Sequence, residues 1–378
     1  MYNSSRRIFS ILLFDPLGLV KKIFVLLTFD YELPLGEADD YDRSLFSPAE
    51  SLIELANDLK VPIVLFADVC SSFCFRKWGE LRYAEKFEAQ LRRSIKEGHD
   101  VQLHIHPHWL TSTYTNGRFI PSNNYSLSHY KNPIDGLDIE KICETAYQEL
   151  TRICRSASSD YNCIAFRAGG YDVEPESARI MSKLYDLGIR FDSSVIKDFF
   201  HDYGYSRVDY RGAPKASSWR VSKSGRMITP SSDGLVELPI ASMPTRVQDI
   251  VLRRVKKILK KEVYASRKHK NGGKGLLTVQ GKQNIEGFIR KLFNPTILSF
   301  DREHLEYADL AGIVSYLEKQ YESESNDLVV TAIGHPKSMG PYHLELLTEF
   351  VKRSREQFGD RIAFTTYPEL LKQGYGLN

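Results

Sequence analysis

Residues 23–29, Ile-Phe-Val-Leu-Leu-Thr-Phe, form an almost unbroken apolar run that closes on Asp30, Tyr31 and Glu32. A run of that length without alternation predicts a strand covered on both faces. Over 48–59, Leu52, Ile53, Leu55, Ala56 and Leu59 recur at helical spacing, with Ser47 placed as a cap and Pro48 in the first turn. A second apolar strand is predicted at 61–67, then a loop rich in Cys and aromatic residues, then a helix over 84–97 ended by Gly98. The chain next extends through Gly98-His99-Asp100-Val101-Gln102-Leu103-His104-Ile105-His106-Pro107-His108-Trp109. Residues 111–138 read as a long polar loop, a length often associated with function. Helices over 139–155 and 174–187 alternate with short strands at 164–166 and 189–191, which close on Arg167 and on Asp192.

From 199 to 295 the pattern loosens, with a hairpin-like excursion over 219–239 that ends in a strand at 235–239. Regularity returns at 296–300. A helix over 303–320 follows, then a strand over 328–333 that closes on Gly334-His335-Pro336. A helix over 342–358, a strand at 362–365 and a terminal helix complete the chain. Buried strands alternating with helices predict an α/β fold with parallel strands. The strands repeatedly close, at their C-terminal ends, on polar or ionisable residues, which is where parallel barrels collect their chemistry. The order of elements therefore points to a barrel.

Composition narrows this reading in three places. The formal net charge of 378 residues is only +3, so the total gives no reason to expect a nucleic-acid partner. Five cysteines, an odd number without a C-x-x-C pair, read as reduced core thiols in a reducing compartment. The apolar stretch 8–20 is broken by Asp15, Pro16 and Gly18, too short and interrupted to span a membrane. Residues 1–21 are taken as a leader ahead of a single domain over 22–378, and a cytoplasmic protein is expected.

Charge is concentrated locally. Residues 246–291 hold fourteen Lys or Arg against three Asp or Glu, a local charge of +11 within an insertion spanning about 246–295. There Val247, Ile250, Val251, Val255, Ile258, Leu259 and Val263 share a helical face, with most of the cations elsewhere. The favoured reading packs that face on the barrel and leaves the lysines solvated. The other lays it weakly on an anionic membrane surface. A Gly/Lys stretch at 270–275 reads as a mobile loop.

The candidate chemistry lies at the strand ends. His104 and His106, two apart in an extended segment, share a face, and His108 follows from the loop. Imidazole is a common ligand of transition metals, zinc above all. Asp30 and Glu32 come from the first strand, Arg167 from a later one and His335 from near the end of the chain. A metal hydrolase needs a carboxylate-and-histidine metal site, a base for water and an acid for the leaving group. This set has a candidate for each. Trp109, Tyr114, Tyr125 and Trp219 are candidate flat platforms for the sugar that the motif resemblance below implies.

In order along the chain, several stretches resemble the motifs of the polysaccharide deacetylases with the NodB-homology domain, carbohydrate esterase family 4. They are Thr28-Phe29-Asp30, Gly98-His99-Asp100-Val101 leading to His104-x-x-x-His108, Phe166-Arg167-Ala168-Gly169-Gly170-Tyr171, the strand at 235–239, and Ile333-Gly334-His335-Pro336. The resemblance covers roughly 22–245 and 296–370. It implies a deformed (β/α) barrel hydrolysing N- or O-acetyl groups on a sugar or polysaccharide precursor, with a divalent metal, zinc first, as cofactor. By position it implies Asp30 as general base, held ionised by Arg167, with His335 as general acid. Glu32, His104 and His108 become the metal ligands, while strand periodicity sets His106 in competition with His108. Gly170 and Tyr171 would supply backbone N–H groups to the oxyanion, and Asp192 would support the site. The first motif departs from the usual adjacent aspartates, reading Asp-Tyr-Glu, and the third has Ala-Gly-Gly where prolines are common. The competing readings are a hydrolase of a small non-sugar amide on the same fold and a glycan-binding barrel without turnover.

Overall fold

The computed structural model describes residues 21–34, 40–115, 118–202, 206–269 and 292–375, so all of the leader but Lys21, and the 270–275 stretch, lie outside the described residues. Ten strands form one sheet: β1 (Ile23–Tyr31), β2 (Val64–Asp68), β3 (Asp100–Ile105), β4 (Ala165–Ala168), β5 (Phe191–Asp192), β6 (Trp219–Val221), β7 (Pro230–Ser231), β8 (Leu235–Glu237), β9 (Leu328–Gly334) and β10 (Ile362–Thr365). Their order is β7-β6-β8-β5-β4-β3-β2-β1-β9, with β10 also paired to β1. All pairings are parallel except those of β6, which runs antiparallel to β7 and β8. Past β8, Ile240 bridges both Ile196 and Thr331 of β9, and the Ala241 N–H donates to the Thr331 carbonyl at 2.8 Å. That contact brings the far edge of the sheet back to β9 and curls it into a deformed (β/α) barrel, the fold class expected from the order of elements.

Side chains alternate across a strand, and this period of two splits the core. Val25, Leu27 and Phe29 of β1, Leu65 of β2, Leu103 of β3 and Phe166 of β4 face outward. They pack beneath helices that include α1 (Ser47–Leu59), α3 (Leu81–Lys96), α4 (Ile139–Arg155) and α5 (Ser177–Asp186). Phe24, Leu26, Val64, Phe66, Phe191, Val236 and Leu238 face inward, joined by Tyr367 and Leu370 from the terminal helix (Tyr367–Lys372). That helix plugs the barrel interior below its mouth. The same alternation carries Thr28, Asp30 and Glu32 of the first strand and its exit, with His104 and His106, to the inner side above the plug.

Local departures from the expected pattern have identifiable causes. The stretch expected to be a Cys- and aromatic-rich loop is a helix, α2 (Val69–Lys77). Buried serines and cysteines share its packed side with Phe75, so no clean apolar stripe announces it. Ser47 is not a cap, because a turn at Asp42–Phe46 runs directly into α1. The long polar loop contains a small hairpin, Thr113–Thr115 with Arg118–Ile120, and a single tight turn at Leu127–Lys131.

The basic segment differs most from expectation. It forms α6 (Val247–Leu259) and α7 (Lys261–Arg267), but the apolar face of α6 is not packed on the barrel. Val247, Val251, Val255, Ile258 and Leu259 are all exposed. The residues turned toward the protein are polar: Arg253 donates to Thr245 Oγ1 at 2.9 Å and Lys260 pairs with Glu306 at 2.8 Å.

Barrel closure gives a stability prediction. Ile240 is 1% exposed and packs with Ile196 and Ile333 where the sheet returns on itself. Ile240→Ala is expected to lower unfolding free energy by about 2–5 kcal/mol in urea denaturation, from lost transfer energy plus the cavity left behind.

Candidate metal and catalytic centre

The parallel register aligns the strand ends. Asp68 pairs with His104 in register, and His104 with Arg167, so three chemically active positions stand side by side across β2, β3 and β4. On the other flank Phe29 pairs with Gly334, which sets His335 beside Asp30. A Cβ on Gly334 would lie 2.8 Å from the Phe29 ring, so only glycine allows β1 and β9 this approach.

Arg167 is fully buried and every contact it makes is directional. Its guanidinium donates to Asp30 Oδ1 at 2.6 Å, Thr28 Oγ1 at 2.8 Å, Ser193 Oγ at 3.0 Å and the Ser193 carbonyl at 2.9 Å, and it lies over the Phe66 ring. Burial by itself would raise the Asp30 pKa. Arg167, with His104 and His335, instead holds the carboxyl well below the usual carboxylate range. The other Asp30 oxygen, Oδ2, lies 3.4 Å from His335 Nε2.

His335 is the least enclosed of these groups. Its Nδ1 meets Asp301 Oδ2 at 2.5 Å, leaving Nε2 directed at Asp30 and Glu32. Burial disfavours its cation, but Asp301 and Asp30 outweigh that and push its pKa up to about 9. Asp301 was not among the residues singled out from the sequence. The available signal was its place directly after the 296–300 segment, the same strand-end position that flagged Asp30.

Glu32, His104 and His106 form a buried cluster whose potential ligand atoms all lie within 4.8 Å of one another. His104 Nδ1 is 2.8 Å from the Arg167 carbonyl. A carbonyl only accepts, so Nδ1 carries a hydrogen. Nε2 lies 3.2 Å from Glu32 Oε2, which also only accepts. This contact takes either a proton on Nε2, which Asp30 and Glu32 favour against burial by raising the ring's pKa, or a cation between the two. His106 Nε2 contacts the same carboxylate. Two imidazole nitrogens converging on one buried carboxylate require positive charge between them. A protonated ring or a cation supplies it, and the donor set suits a divalent metal. Lys337 meets this requirement in part: its Nζ lies 2.5 Å from Glu32 Oε1. Burial raises the Glu32 pKa, but Lys337 and the two histidines carry it well below the ordinary value.

The structure thus groups His104 with His106, whereas the motif resemblance pairs His104 with His108. His108 is buried with its ring against Trp109 and Tyr125, and neither of its nitrogens finds a hydrogen-bond partner among the described residues. Burial and the neighbouring His106 push its pKa well down. The reason is geometric. Pro107 starts a short helical turn at His108–Thr111, which swings residue 108 off the inward face of β3.

Asp68, another strand-end carboxylate missed from the sequence, holds this turn. It accepts from the His106 N–H at 3.2 Å and from Trp109 Nε1 at 2.7 Å. Trp109 is accordingly a core residue, 0% exposed, and offers no open ring to a sugar. Tyr125 and Trp219 are buried too, and Tyr114 is stacked on Trp78 with its hydroxyl on Glu80.

Gly169, Gly170 and Tyr171 make the turn after β4. A Cβ at Gly169 would lie 2.6 Å from the Ile105 carbonyl and 2.7 Å from His106 Nδ1, so glycine there is what lets the imidazole in. Gly170 and Tyr171 both have positive φ, 61° and 64°, strained for the tyrosine, with Gly170 exposed at the rim. Asp192 supports this turn from below, with no open side toward a ligand. It accepts from the Ser194 hydroxyl, whose oxygen in turn accepts from the Ala168 N–H at 2.9 Å. Burial lifts the Asp192 pKa and, with Asp192 beside it, lifts that of Glu237 well above normal.

No protein-family model matches the sequence, and no curated protein matches it. Among solved structures, the chain is similar to a candidate glycoside hydrolase/deacetylase from Parabacteroides distasonis, with a TM-score of 0.54 and 12% identity over 94% of this chain and 71% of that one. Candidate polysaccharide deacetylases from Mycobacterium smegmatis (TM-score 0.46, 12% identity, 93% and 90% covered) and Pseudomonas aeruginosa PAO1 (0.45, 13%, 95% and 93%) also align along their length. The first of these likenesses carries the fold: a deformed (β/α) barrel, as the motif order implies.

Replacing the Asp301 carboxylate tests the local electrostatics. In Asp301→Asn the His335 imidazole is expected to titrate well below about 9, toward the ordinary histidine value of about 6.5, when its ring signals are followed by NMR against pH.

Proposed function

We propose that this protein is a metal-dependent hydrolase that removes an N- or O-linked acetyl group from a sugar or polysaccharide precursor. The observation that carries the reading is the position of Asp30. It is clamped by Arg167 on one oxygen and faced by His335 on the other, at the rim of a Glu32–His104–His106 cluster. A base, an acid and a ligand set thus share one barrel mouth.

Glu32, His104 and His106 would hold a divalent cation, zinc by preference, which when bound supplies a Lewis acid that lowers the pKa of water and polarises an acetyl carbonyl. Asp30, kept ionised by Arg167, takes the proton from the attacking water. His335, cationic through neutral pH, gives a proton from Nε2 to the departing amine or alkoxide as the bond to the acetyl carbon breaks. Asp301 holds that imidazole in place and stabilises its charge. The turn at Gly170 and Tyr171 is the proposed source of N–H groups for the oxyanion. The four aromatic side chains expected to receive a sugar are buried or stacked, so the sugar in this reading rests on the motif order and the shared fold. Five buried cysteines, all free, support a reducing compartment, and we place the protein in the cytoplasm, in the synthesis of a cell-surface polysaccharide.

One observation favours a second reading. The Lys337 ammonium already satisfies Glu32, as it would in a glycan-binding barrel that has lost turnover. Metal analysis separates the two. Protein purified without chelator is expected to carry about one equivalent of zinc or another divalent ion. Acetate release from a panel of acetylated sugars should vanish with chelator and fall by about 10²–10⁴ in Asp30→Asn. Metal-free protein that releases no acetate with any added ion would leave only the binding reading.

His106→Ala provides an independent check of the ligand set. Removing that imidazole while leaving His104 and His108 in place is expected to lower metal affinity by competition titration at least about 10–100-fold, with the fold intact by circular dichroism. Unchanged affinity would return His108 to the set.

A further inference from the structure

The search for a second functional surface leads to α6. In the described residues eleven large hydrophobic side chains are exposed, and seven of them lie between Val247 and Val263. At 100° per residue, Val247, Val251, Val255 and Ile258 form one line along the helix, with Leu252 and Leu259 widening it on one side. Ile258 and Leu259 are 76% and 79% exposed, the values of side chains standing free in solvent. The helix is mounted with its polarity reversed. Its protein side is polar and fixed: Arg253 donates to Thr245, Lys260 pairs with Glu306, and in α7 Tyr264 is buried while Arg267 lies over the Tyr342 ring. Contiguous exposed apolar surface of this kind marks an interaction site.

The flanking charge identifies the partner. Residues 246–269 hold nine Lys or Arg against two Asp or Glu, and Arg254, Lys257 and Lys261 are exposed beside the apolar line. Of the nearest acids, Asp249 is engaged by Arg246 and Glu306 by Lys260 and Arg267, which leaves the exposed Glu262 as a single carboxylate among these cations. A second copy seated face to face would bring two such cationic patches together. A nucleic acid would leave the aliphatic centre unmatched. An apolar stripe rimmed by cations suits the boundary between the headgroups and acyl chains of an anionic bilayer. There the stripe enters the acyl region, and lysine and arginine stems reach back to phosphate. We propose that α6 docks this protein on an anionic lipid surface, lying in the plane of the interface. None of the described helices is long and apolar enough to cross a membrane, so the attachment is peripheral. The proposal stands apart from the chemistry at the barrel mouth.

The test is vesicle co-sedimentation of the full chain. Vesicles of phosphatidylcholine are compared with vesicles containing about one-third phosphatidylglycerol, at low salt and again in high salt, where screening shortens electrostatic reach to a few ångströms. The chain is expected to pellet with the anionic vesicles, at least about tenfold more weakly in high salt, and to ignore neutral ones. Val251→Glu with Ile258→Glu alters two exposed positions, so the fold and any acetate release persist while vesicle binding falls at least about tenfold. Arg254→Gln with Lys257→Gln should remove most of the salt dependence. Failure to pellet with anionic vesicles, or equal pelleting of the Glu variant, overturns the proposal. So does a dimer in sedimentation velocity that the Glu variant abolishes without any vesicle binding, because the face would then belong to a second copy.

Discussion

The buried pair between Arg167 and Asp30 is the constraint on which the mouth of the barrel depends. Removing two charges from water is unfavourable, and their attraction offsets it only when the remaining donors and acceptors are satisfied. Here they are. Thr28, Ser193 and the Phe66 ring take up the guanidinium, while Asp30 keeps one oxygen directed to His335. Such a pair fixes geometry more than it adds stability. It ties β1 to β4 across the interior, between two strands that are not neighbours in the sheet. The Arg167 carbonyl accepts from the His104 ring, so the same residue that orients Asp30 also fixes a hydrogen on His104 Nδ1.

Around that pair the mouth is organised by charge balance. Asp30, Glu32 and Asp301 are buried carboxylates, each held ionised against its own desolvation. Arg167, Lys337 and the cationic form of His335 face them. Each carboxylate faces a cation: Asp30 and Asp301 share the His335 imidazole, and Glu32 is approached by Lys337 and by the ring nitrogens of His104 and His106. In the proposed reading a divalent ion and the Lys337 ammonium would compete for Glu32, and the strength of that metal site would depend on how far Lys337 can withdraw. The backbone contributes through glycine: Gly334 lets β9 approach Phe29 and Gly169 admits His106.

Much of this was legible in the sequence, for a physical reason. Parallel strands buried on both faces are long apolar runs, and the polar residue that ends each run marks the mouth; Asp30, His104, Arg167 and His335 were found that way. The same rule, applied evenly, reaches Asp68 and Asp301, which end apolar segments without a motif to draw attention to them. The choice between His106 and His108 turned on where the strand stops. Period-two alternation favours His106, and the turn begun at Pro107 carries His108 into the core. Trp109 shows the complementary limit. An indole beside a cluster of histidines fits a sugar platform and a core residue equally well from sequence, and only the Asp68 carboxylate beneath it decides.

The basic insertion exposes a limit of a different kind. Helical periodicity identifies an apolar face but carries no information about which way the face turns, because burial is a property of the partner and not of the helix. In α1, α3 and α4 the partner is the sheet, and the apolar stripes point inward. In α6 the protein side is already claimed by Arg253 and Lys260, whose hydrogen bond and ion pair are directional and cannot be made from the opposite face. Those contacts hold the helix in one rotation and hold its aliphatic side in water, where burial of each large aliphatic side chain would be worth about 1.5–3 kcal/mol. A free helix could roll to bury that surface; a helix pinned by its polar side cannot. Surface held open in this way suits an occupant other than the barrel, and the excess of exposed cations beside it is what makes an acidic apolar boundary the occupant proposed for it.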